Sequence, residues 1–245
     1  MMKRLTCLCL ALLAALPALA APPAGEAVLR ERLAKALPGV ELGGLRPAPV
    51  AGLYQLALGT DVIYVSADGR YMVLGDVVDL ATKQNLSQRE RGRLILAAIA
   101  GEPESRMLVI GPAKARRTLT VFTDVECPYC AKLHLEVPKL TAAGVKVRYL
   151  FYPRAGIGSS SYKKSVAVWC AEDRVAAIGI AKAGGPLPMK TCPNPVAEHL
   201  ALGRRVGVRG TPMIVLDDGR VIPGYSPAER LLAALGLAPA KVSRR

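Results

Sequence analysis

Aromatic side chains and histidines are scarce in this chain. Phenylalanine, tyrosine and tryptophan together make up 4% of the residues, and there are two histidines. Basic residues are abundant, 33 lysines and arginines against 19 acidic residues, but they are dispersed as pairs such as Arg116-Arg117 and Arg204-Arg205. A nucleic-acid site needs a basic patch or stripe, so the pattern favours a solvated basic surface and no nucleic-acid partner.

The N-terminus lacks an apolar segment long enough to make a convincing membrane span. Met1–Arg4 is a short basic region, a short apolar run follows it, and Ala18–Ala20 supplies a small-x-small pattern. This arrangement is typical of a secretory signal peptide rather than a membrane helix. We therefore predict that residues 1–20 form a signal peptide and that Cys7 and Cys9 are removed with it.

Four cysteines remain in the exported chain, and two of them form the motif Cys127-Pro-Tyr-Cys130. The motif follows an apolar, β-rich run at residues 119–124 and opens a stretch of helical character at residues 131–136. Two cysteines separated by two residues at a strand-to-helix turn are typical of a dithiol redox centre. A helix N-terminus stabilises a thiolate, because its free N–H groups and partial positive charge face the sulfur. We predict that Cys127, the outer cysteine of the turn, attacks disulfides and that Cys130 is the resolving thiol.

Two other interpretations of the motif compete with redox chemistry. Half of a zinc site has the same spacing, but the other half is missing, because Cys170 and Cys192 form no second pair of this kind and His134 has no histidine partner at zinc-finger spacing. A purely structural disulfide is the second alternative, although such a tight loop is an unusual place for one. The sequence thus predicts no metal and no cofactor.

Cys170 and Cys192 are the remaining cysteines, and we predict that they pair as a structural disulfide. An even number of cysteines in an exported protein favours pairing, because export makes oxidation chemically available. Closing this loop would contribute ~3 kcal/mol in the chain-entropy model. Two free buried thiols are the alternative.

The chain divides into three parts after the signal peptide. In residues 21–78 the pattern predicts a helix over 26–37, strands, and a hairpin at Asp68-Gly69. This segment has no cysteine or histidine, so we expect a small α+β scaffold domain. Residues 79–101 predict an amphipathic linker helix. Residues 102–245 contain every remaining cysteine and predict the catalytic domain.

The catalytic domain has the pattern of a βαβ unit. A strand over residues 145–151 follows the dithiol helix, so we expect it to pair in parallel with the first strand. A helical insertion follows at residues 160–183. Pro212 stands at the head of a further strand that ends at Leu216, a position where a proline, and a cis bond, is tolerated.

Several of these segments together resemble the periplasmic thiol:disulfide interchange proteins of the DsbC/DsbG type. The resemblance is carried by Phe122-Thr-Asp124, Cys127-Pro-Tyr-Cys130, Lys132-Leu-His134, Val147-Arg-Tyr-Leu150, Trp169-Cys-Ala171, Ala201-Leu-Gly203, Gly207-Val208, Gly210-Thr-Pro212 and Pro223-Gly-Tyr225. It covers the C-terminal domain densely and the N-terminal domain mainly by layout.

The resemblance implies a fold of mixed α/β and α+β class, with a thioredoxin-like C-terminal domain that carries a helical insertion. It also implies an N-terminal dimerisation domain and a V-shaped homodimer whose dithiols face a cleft for misfolded, disulfide-containing exported proteins. A membrane-bound reductase of the DsbD type would keep the dithiols reduced in the periplasm. By the same resemblance Cys127 is the nucleophile and Cys130 its partner. We assign substrate contact to Tyr129 and to the cis-proline loop of Thr211 and Pro212.

The chain differs from the DsbC type at two positions of the motif. DsbC-like members carry glycine where this chain has Pro128, and its Pro-Tyr dipeptide is similar to the DsbG branch instead. Glu126 places a negative charge before the nucleophile, which is expected to oppose the thiolate. The resemblance implies a disulfide isomerase or reductase, with a chaperone-type binding module or a DsbG-like reductase of oxidised single cysteines as alternatives.

Overall fold

The computed structural model describes residues 24–237, so the predicted signal peptide lies outside the described residues. None of the helices within these residues combines the length and the apolar character needed to cross a membrane. A small front sheet and a larger C-terminal sheet organise the chain. The predicted fold class, a thioredoxin-like domain with an α+β front domain, is confirmed.

The front part is a four-stranded antiparallel sheet covered by one helix. Its elements are α1 (Ala24–Ala36), β1 (Arg46–Pro47), β2 (Leu53–Leu58), β3 (Asp61–Ser66) and β4 (Met72–Val73), in the sheet order β1-β2-β3-β4. Leu29 and Leu33 of α1 pack on Leu56 and Ile63 of the sheet. The predicted hairpin at Asp68-Gly69 joins β3 to β4, and Gly69 adopts the positive φ of 71° that such a turn requires.

The linker helix begins later than the spacing of charged and apolar residues predicts. Strands β5 (Val78–Asp79) and β6 (Gln84–Asn85) form a short hairpin, and α2 runs over Leu86–Ala100 instead of starting at residue 79. The Asp79 carboxylate accepts hydrogen bonds from the N–H groups of Ala81 and Thr82, which holds a turn in place of a helix. Asn85 then caps α2 by accepting from the Gln88 N–H.

Helix α2 contacts both sheets, one at each of its ends. Near its start, the buried Ser87 hydroxyl lies 2.6 Å from the Tyr64 hydroxyl of the front sheet. Near its end, Ile95 and Ile99 are buried in a cluster with Phe122 and residues of the C-terminal sheet. The second half of α2 is thus part of the core of the C-terminal domain rather than a solvated spacer.

The C-terminal domain is built on a five-stranded sheet in the order β11-β10-β8-β9-β7. Its strands are β7 (Leu108–Ile110), β8 (Arg117–Thr123), β9 (Val145–Phe151), β10 (Met213–Leu216) and β11 (Val221–Pro223). The expected parallel pairing of β8 with β9 is confirmed, and β10 pairs with β8 antiparallel. The helices are α3 (Pro128–His134), α4 (Val137–Ala142), α5 (Ser160–Trp169), α6 (Arg174–Lys182), α7 (Val196–Arg205) and α8 (Ala228–Ala234).

The helical insertion is two helices rather than one. Helix α5 ends at Trp169, and Asp173 caps α6 by accepting from the N–H groups of Val175 and Ala176. The spacing of apolar residues did not resolve this break, because the break is set by hydrogen bonds of the single Asp173 side chain. Strand β7 and helix α7 were also not predicted.

Helix α2 packs closely against the turn before β11, where Gly92 faces the backbone of Gly219. A Cβ atom on Gly92 would lie 2.5 Å from the Gly219 carbonyl oxygen, which is backbone and cannot move aside easily. Gly92→Ala gains about 1 kcal/mol of helix propensity, yet we expect it to lower the free energy of unfolding of the full chain by about 1–3 kcal/mol. Urea unfolding measures this.

Gly101→Ala is the matched control, because its added Cβ would meet only the Ala98 carbonyl oxygen, at 3.5 Å. That variant should be at least as stable as the parent protein. Equal stability of the two variants would show that the close contact has no energetic role.

Candidate active site

The dithiol lies where strand β8 ends and helix α3 begins. Cys127 is the N-cap residue of α3, with extended backbone angles (φ −84°, ψ 121°), and Pro128 occupies the first turn, where it costs no hydrogen bond. Cys130 is one turn further along the helix. Both are free thiols, 2% and 1% exposed, so residue exposure does not distinguish them. They differ in position, because Cys127 caps the helix N-terminus and Cys130 lies within the helix.

The turn before Cys127 is fixed by the carboxylate of Asp124, which is 2% exposed. Asp124 accepts hydrogen bonds from the Glu126 N–H (2.9 Å), from the N–H and Nε of Arg154 (3.0 and 3.1 Å) and from the Ser161 hydroxyl. Burial alone would raise the pKa of this carboxyl, but these donors outweigh it and hold the pKa below its usual value. A charged Asp124 thus ties the loop to the segment after β9 and to α5.

The loop before β10 lies against the attacking sulfur. The Thr211–Pro212 peptide bond is cis, and the Cys127 thiol donates to the Thr211 carbonyl oxygen at 3.2 Å. The Thr211 hydroxyl is buried and has no hydrogen-bond partner among the described residues. A thiolate at Cys127 would offer that hydroxyl an acceptor.

The two thiols have opposite pKa shifts. Burial raises the pKa of the Cys127 thiol, but hydrogen bonding by Thr211 and by the Cys130 and Tyr129 N–H groups reverses this and leaves the pKa below its ordinary value. Burial dominates at Cys130 and raises its pKa, although the charge of Lys182 and the Asp124 N–H oppose the rise. At a given pH Cys127 therefore carries more thiolate than Cys130.

Glu126 is paired rather than free to oppose the thiolate. Its carboxylate accepts from the Lys164 ammonium at 2.7 Å and from the Ser160 hydroxyl at 2.6 Å, both on α5. Because Lys164 compensates its charge locally, Glu126 acts on Cys127 mainly as part of a neutral pair. The expected opposition from this residue is correspondingly smaller than the sequence alone suggests.

The other predicted site residues are Tyr129, Thr211 and the cysteines Cys170 and Cys192. Tyr129 is 63% exposed beside the dithiol, while Thr211 is 9% exposed. Cys170 and Cys192 form a disulfide that joins the end of α5 to the segment before α7. Within residues 24–237 there is no group of three or more histidine, cysteine or acidic residues that could hold a metal ion.

Sequence reasoning assigned no role to three charged residues that surround the dithiol. Asp124 appeared only as a motif residue, Arg154 follows β9, and Lys182 ends α6. Lysine is normally solvated, so nothing in the sequence around Lys182 marks it as buried. The contacts of Asp124 and Arg154 depend on tertiary structure and left no local pattern.

A thioredoxin-like sheet with a dithiol at a helix N-terminus, facing a cis-proline loop, defines the class of thiol-disulfide oxidoreductases. Two family models match the chain, a thioredoxin-like domain over residues 105–239 and the disulfide bond isomerase protein N-terminal domain over residues 18–88.

Curated relatives match over most of both chains. The thiol:disulfide interchange protein DsbC of Escherichia coli strain K12 is 34% identical over 208 residues, which cover 85% of this chain and 86% of the relative. The DsbC protein of Salmonella typhimurium is 35% identical over 212 residues, with 86% and 87% covered. Among solved structures, the disulfide interchange protein from Neisseria gonorrhoeae is 32% identical and covers 55% of this chain and 96% of that chain, with a TM-score of 0.49.

The chain belongs to the family of DsbC thiol:disulfide interchange proteins.

Asp124 provides a test of how the site is held. Its pKa is depressed in the folded protein, so its stabilisation is present above the unfolded value of about 3.9 and is lost as pH falls through the folded value. We expect Asp124→Asn to lower the free energy of unfolding by about 2 kcal/mol at pH 7, with the difference from the parent narrowing below pH 4. Denaturant unfolding from pH 3 to 7 measures it.

Asp61→Asn is the control, because Asp61 is an exposed carboxylate on β3. It should change stability little at any pH. A pH-independent loss in Asp124→Asn would contradict the assignment of a charged, hydrogen-bonded Asp124.

Proposed function

We propose that this protein is a homodimeric periplasmic disulfide isomerase and reductase in which Cys127 is the nucleophile and Cys130 the resolving thiol. The observation that carries the proposal is the position of Cys127, at a helix N-terminus and 3.2 Å from the Thr211 carbonyl oxygen. The lowered pKa of its thiol supports the same assignment.

The reaction proceeds through a mixed disulfide. The Cys127 thiolate attacks one sulfur of a substrate disulfide, a new sulfur–sulfur bond forms, and the other substrate sulfur leaves with the electron pair and then takes a proton. In isomerisation a substrate thiolate attacks the mixed disulfide and releases Cys127. In reduction Cys130 loses its proton and attacks Cys127, so that the enzyme dithiol is oxidised by two electrons and the substrate disulfide is reduced.

Substrate would lie along the Thr211–Pro212 loop. An extended polypeptide can pair with the backbone of Thr211, as a strand pairs with a sheet edge, which brings its sulfur to Cys127. The exposed ring of Tyr129, within the same motif, would supply apolar contact to the substrate. These contacts involve backbone and a flat ring, which suits substrates of varied sequence.

The front sheet supports the proposal of a homodimer. Within residues 24–237, strand β4 is an edge strand that pairs with β3 on one side only, and the apolar side chains around it are exposed. Tyr71 is 59% exposed, Met72 48%, Val73 47% and Leu74 75%. An exposed apolar edge strand invites pairing with another chain. The signal peptide predicted at residues 1–20 supports a periplasmic location, where a membrane-bound reductase of the DsbD type would restore the dithiol.

Variants of the two cysteines test the proposed roles. Cys127→Ser should lose insulin reduction and the reshuffling of scrambled ribonuclease. Cys130→Ser should still form mixed disulfides with substrate but accumulate them, because the intramolecular resolving step is removed. Mass spectrometry of trapped complexes and both activity assays measure these outcomes.

Equal loss of mixed-disulfide formation in both cysteine variants would contradict the assignment of roles. A Cys127→Ser variant that still prevents aggregation of unfolded proteins at full strength would favour the chaperone-type alternative for that part of the activity.

Charge on the edge strand tests the dimer. We expect Met72→Lys combined with Val73→Lys to be monomeric on sedimentation while insulin reduction is retained, because lysines on an edge strand oppose pairing. Isomerase activity should fall, since the paired arrangement around substrate is lost. Met189→Lys is the control, because Met189 is similarly exposed (56%) in the C-terminal domain. A dimeric double variant would place the interface elsewhere.

A further inference from the structure

Lys182, the last residue of α6, is buried beneath the dithiol. Lys182 is only 8% exposed. Its ammonium donates to the Thr123 hydroxyl at 2.7 Å and contacts the main-chain carbonyl oxygen of Asp124 at 3.4 Å. It forms no ion pair with a carboxylate among residues 24–237. Burying an ammonium without an opposite charge is costly, so the site calls for a negative partner.

Among the groups around Lys182, one can supply the negative charge that pairs with its ammonium. Helix α3 contributes Cys130 and His134, β9 contributes the Tyr149 ring 5.5 Å from the ammonium, and the turn after β8 contributes Asp124 and Cys127. Burial and the Lys182 charge lower the pKa of His134 to about 4, so this histidine is neutral at pH 7. Burial raises the pKa of Tyr149 far above its ordinary value, so it is neutral too.

The Asp124 carboxylate does not pair with the Lys182 ammonium. Its carboxylate is turned to Arg154, Ser161 and the Glu126 N–H, and only its main-chain oxygen reaches Lys182. Arg154 is a second cation near the dithiol, but it is exposed and already paired with Asp124. Cys130, which is 1% exposed and whose thiolate would be hydrogen-bonded by Thr123, is the group that can become negative beside Lys182.

We propose that Lys182 is a positioning residue for the resolving step, in which its ammonium, held by the Thr123 hydroxyl, stabilises the thiolate of Cys130. The inference rests on the proposed function, because it assumes that Cys130 resolves a mixed disulfide at Cys127. Cys130 gives its proton to solvent, its thiolate forms the bond to the Cys127 sulfur, and the bond from Cys127 to the substrate sulfur breaks. The substrate sulfur leaves with the electron pair and takes a proton from water.

Ionisation of the two groups agrees with this arrangement. Burial lowers the pKa of Lys182 to about 8, while the negative charges of Cys130, Cys127 and Asp124 oppose the fall. Lys182 is therefore still mostly charged at pH 7. A disulfide between Cys127 and Cys130 leaves no thiolate to oppose the effect of burial, so the pKa of Lys182 is expected to be lower in the disulfide state.

The first experiment separates attack from resolution. The full-length protein is mixed with dithiobis(nitrobenzoate), whose first thionitrobenzoate is released when Cys127 attacks and whose second is released when Cys130 resolves. In Lys182→Met, which fills the same space without charge, we expect little change in the first release. The second should be about tenfold slower at pH 7, with its pH midpoint raised by about one unit. Lys163→Met removes an exposed lysine from α5 and is the matched control, with both releases unchanged.

The second experiment uses the unmodified chain and does not depend on a variant that folds. The Lys182 side-chain carbon next to the ammonium is titrated by ¹³C NMR in the dithiol and disulfide states, and its midpoint should be lower in the disulfide state. Identical midpoints, or a second release in folded Lys182→Met with the parent's rate and pH profile, would overturn the inference. Failure of the first release in the parent protein would instead overturn the proposed function of Cys127.

Discussion

The register of β8 with its two neighbours is the constraint on which the site depends. Phe122 lies opposite Met213 of β10 in the antiparallel pair, and Thr123 lies beside Phe151 of β9 in the parallel pair. The loop before β10 and the loop after β9 therefore lie at the same end of the strands as the dithiol turn. A shift of one residue in either pair would turn every side chain of that strand to the opposite face. The contact of Thr211 with Cys127, and the contact of Arg154 with Asp124, follow from this register.

The charged side chains near Cys127 and those near Cys130 differ in burial and in pairing. Glu126 and Lys164 form an exposed pair whose charges cancel locally, whereas Lys182 is buried and has no carboxylate partner in the described chain. Surface pairs contribute little because solvent screens them, but a buried charge acts in a medium of lower effective dielectric constant. The local field therefore acts more strongly on Cys130 than the sequence around the motif suggests. Helix position, in contrast, acts on Cys127.

Much of the fold was predictable because its signals are local. The strand at residues 145–151, the Asp68-Gly69 hairpin and the turn at Cys127-Pro-Tyr-Cys130 all depend on periodicity, turn residues or cysteine spacing. The start of α2 at Leu86 and the break between α5 and α6 were missed, because single side chains, Asp79 and Asp173, bond to nearby N–H groups there. Lys182 was missed for a different reason. A lysine is normally solvated, and only tertiary packing shows that this one is buried.

The packing of α2 against both sheets limits how the C-terminal domain can turn relative to the front sheet. A linker helix in solvent would allow the C-terminal domain to turn freely, but Ile95 and Ile99 share a buried cluster with Phe122, one residue before Thr123 at the end of β8. Turning the domain about the second half of α2 would expose those side chains to water, at about 25 cal/mol per Å² of apolar surface. The first half of α2 is held to the front sheet by the buried contact of Ser87 with Tyr64. Rearrangement at the β5–β6 hairpin costs less buried surface, since Val78 is 43% exposed and Leu80 76%. The dithiol is therefore carried rigidly with α2, and the orientation of the active site relative to the front sheet is set by the contacts at the beginning of that helix.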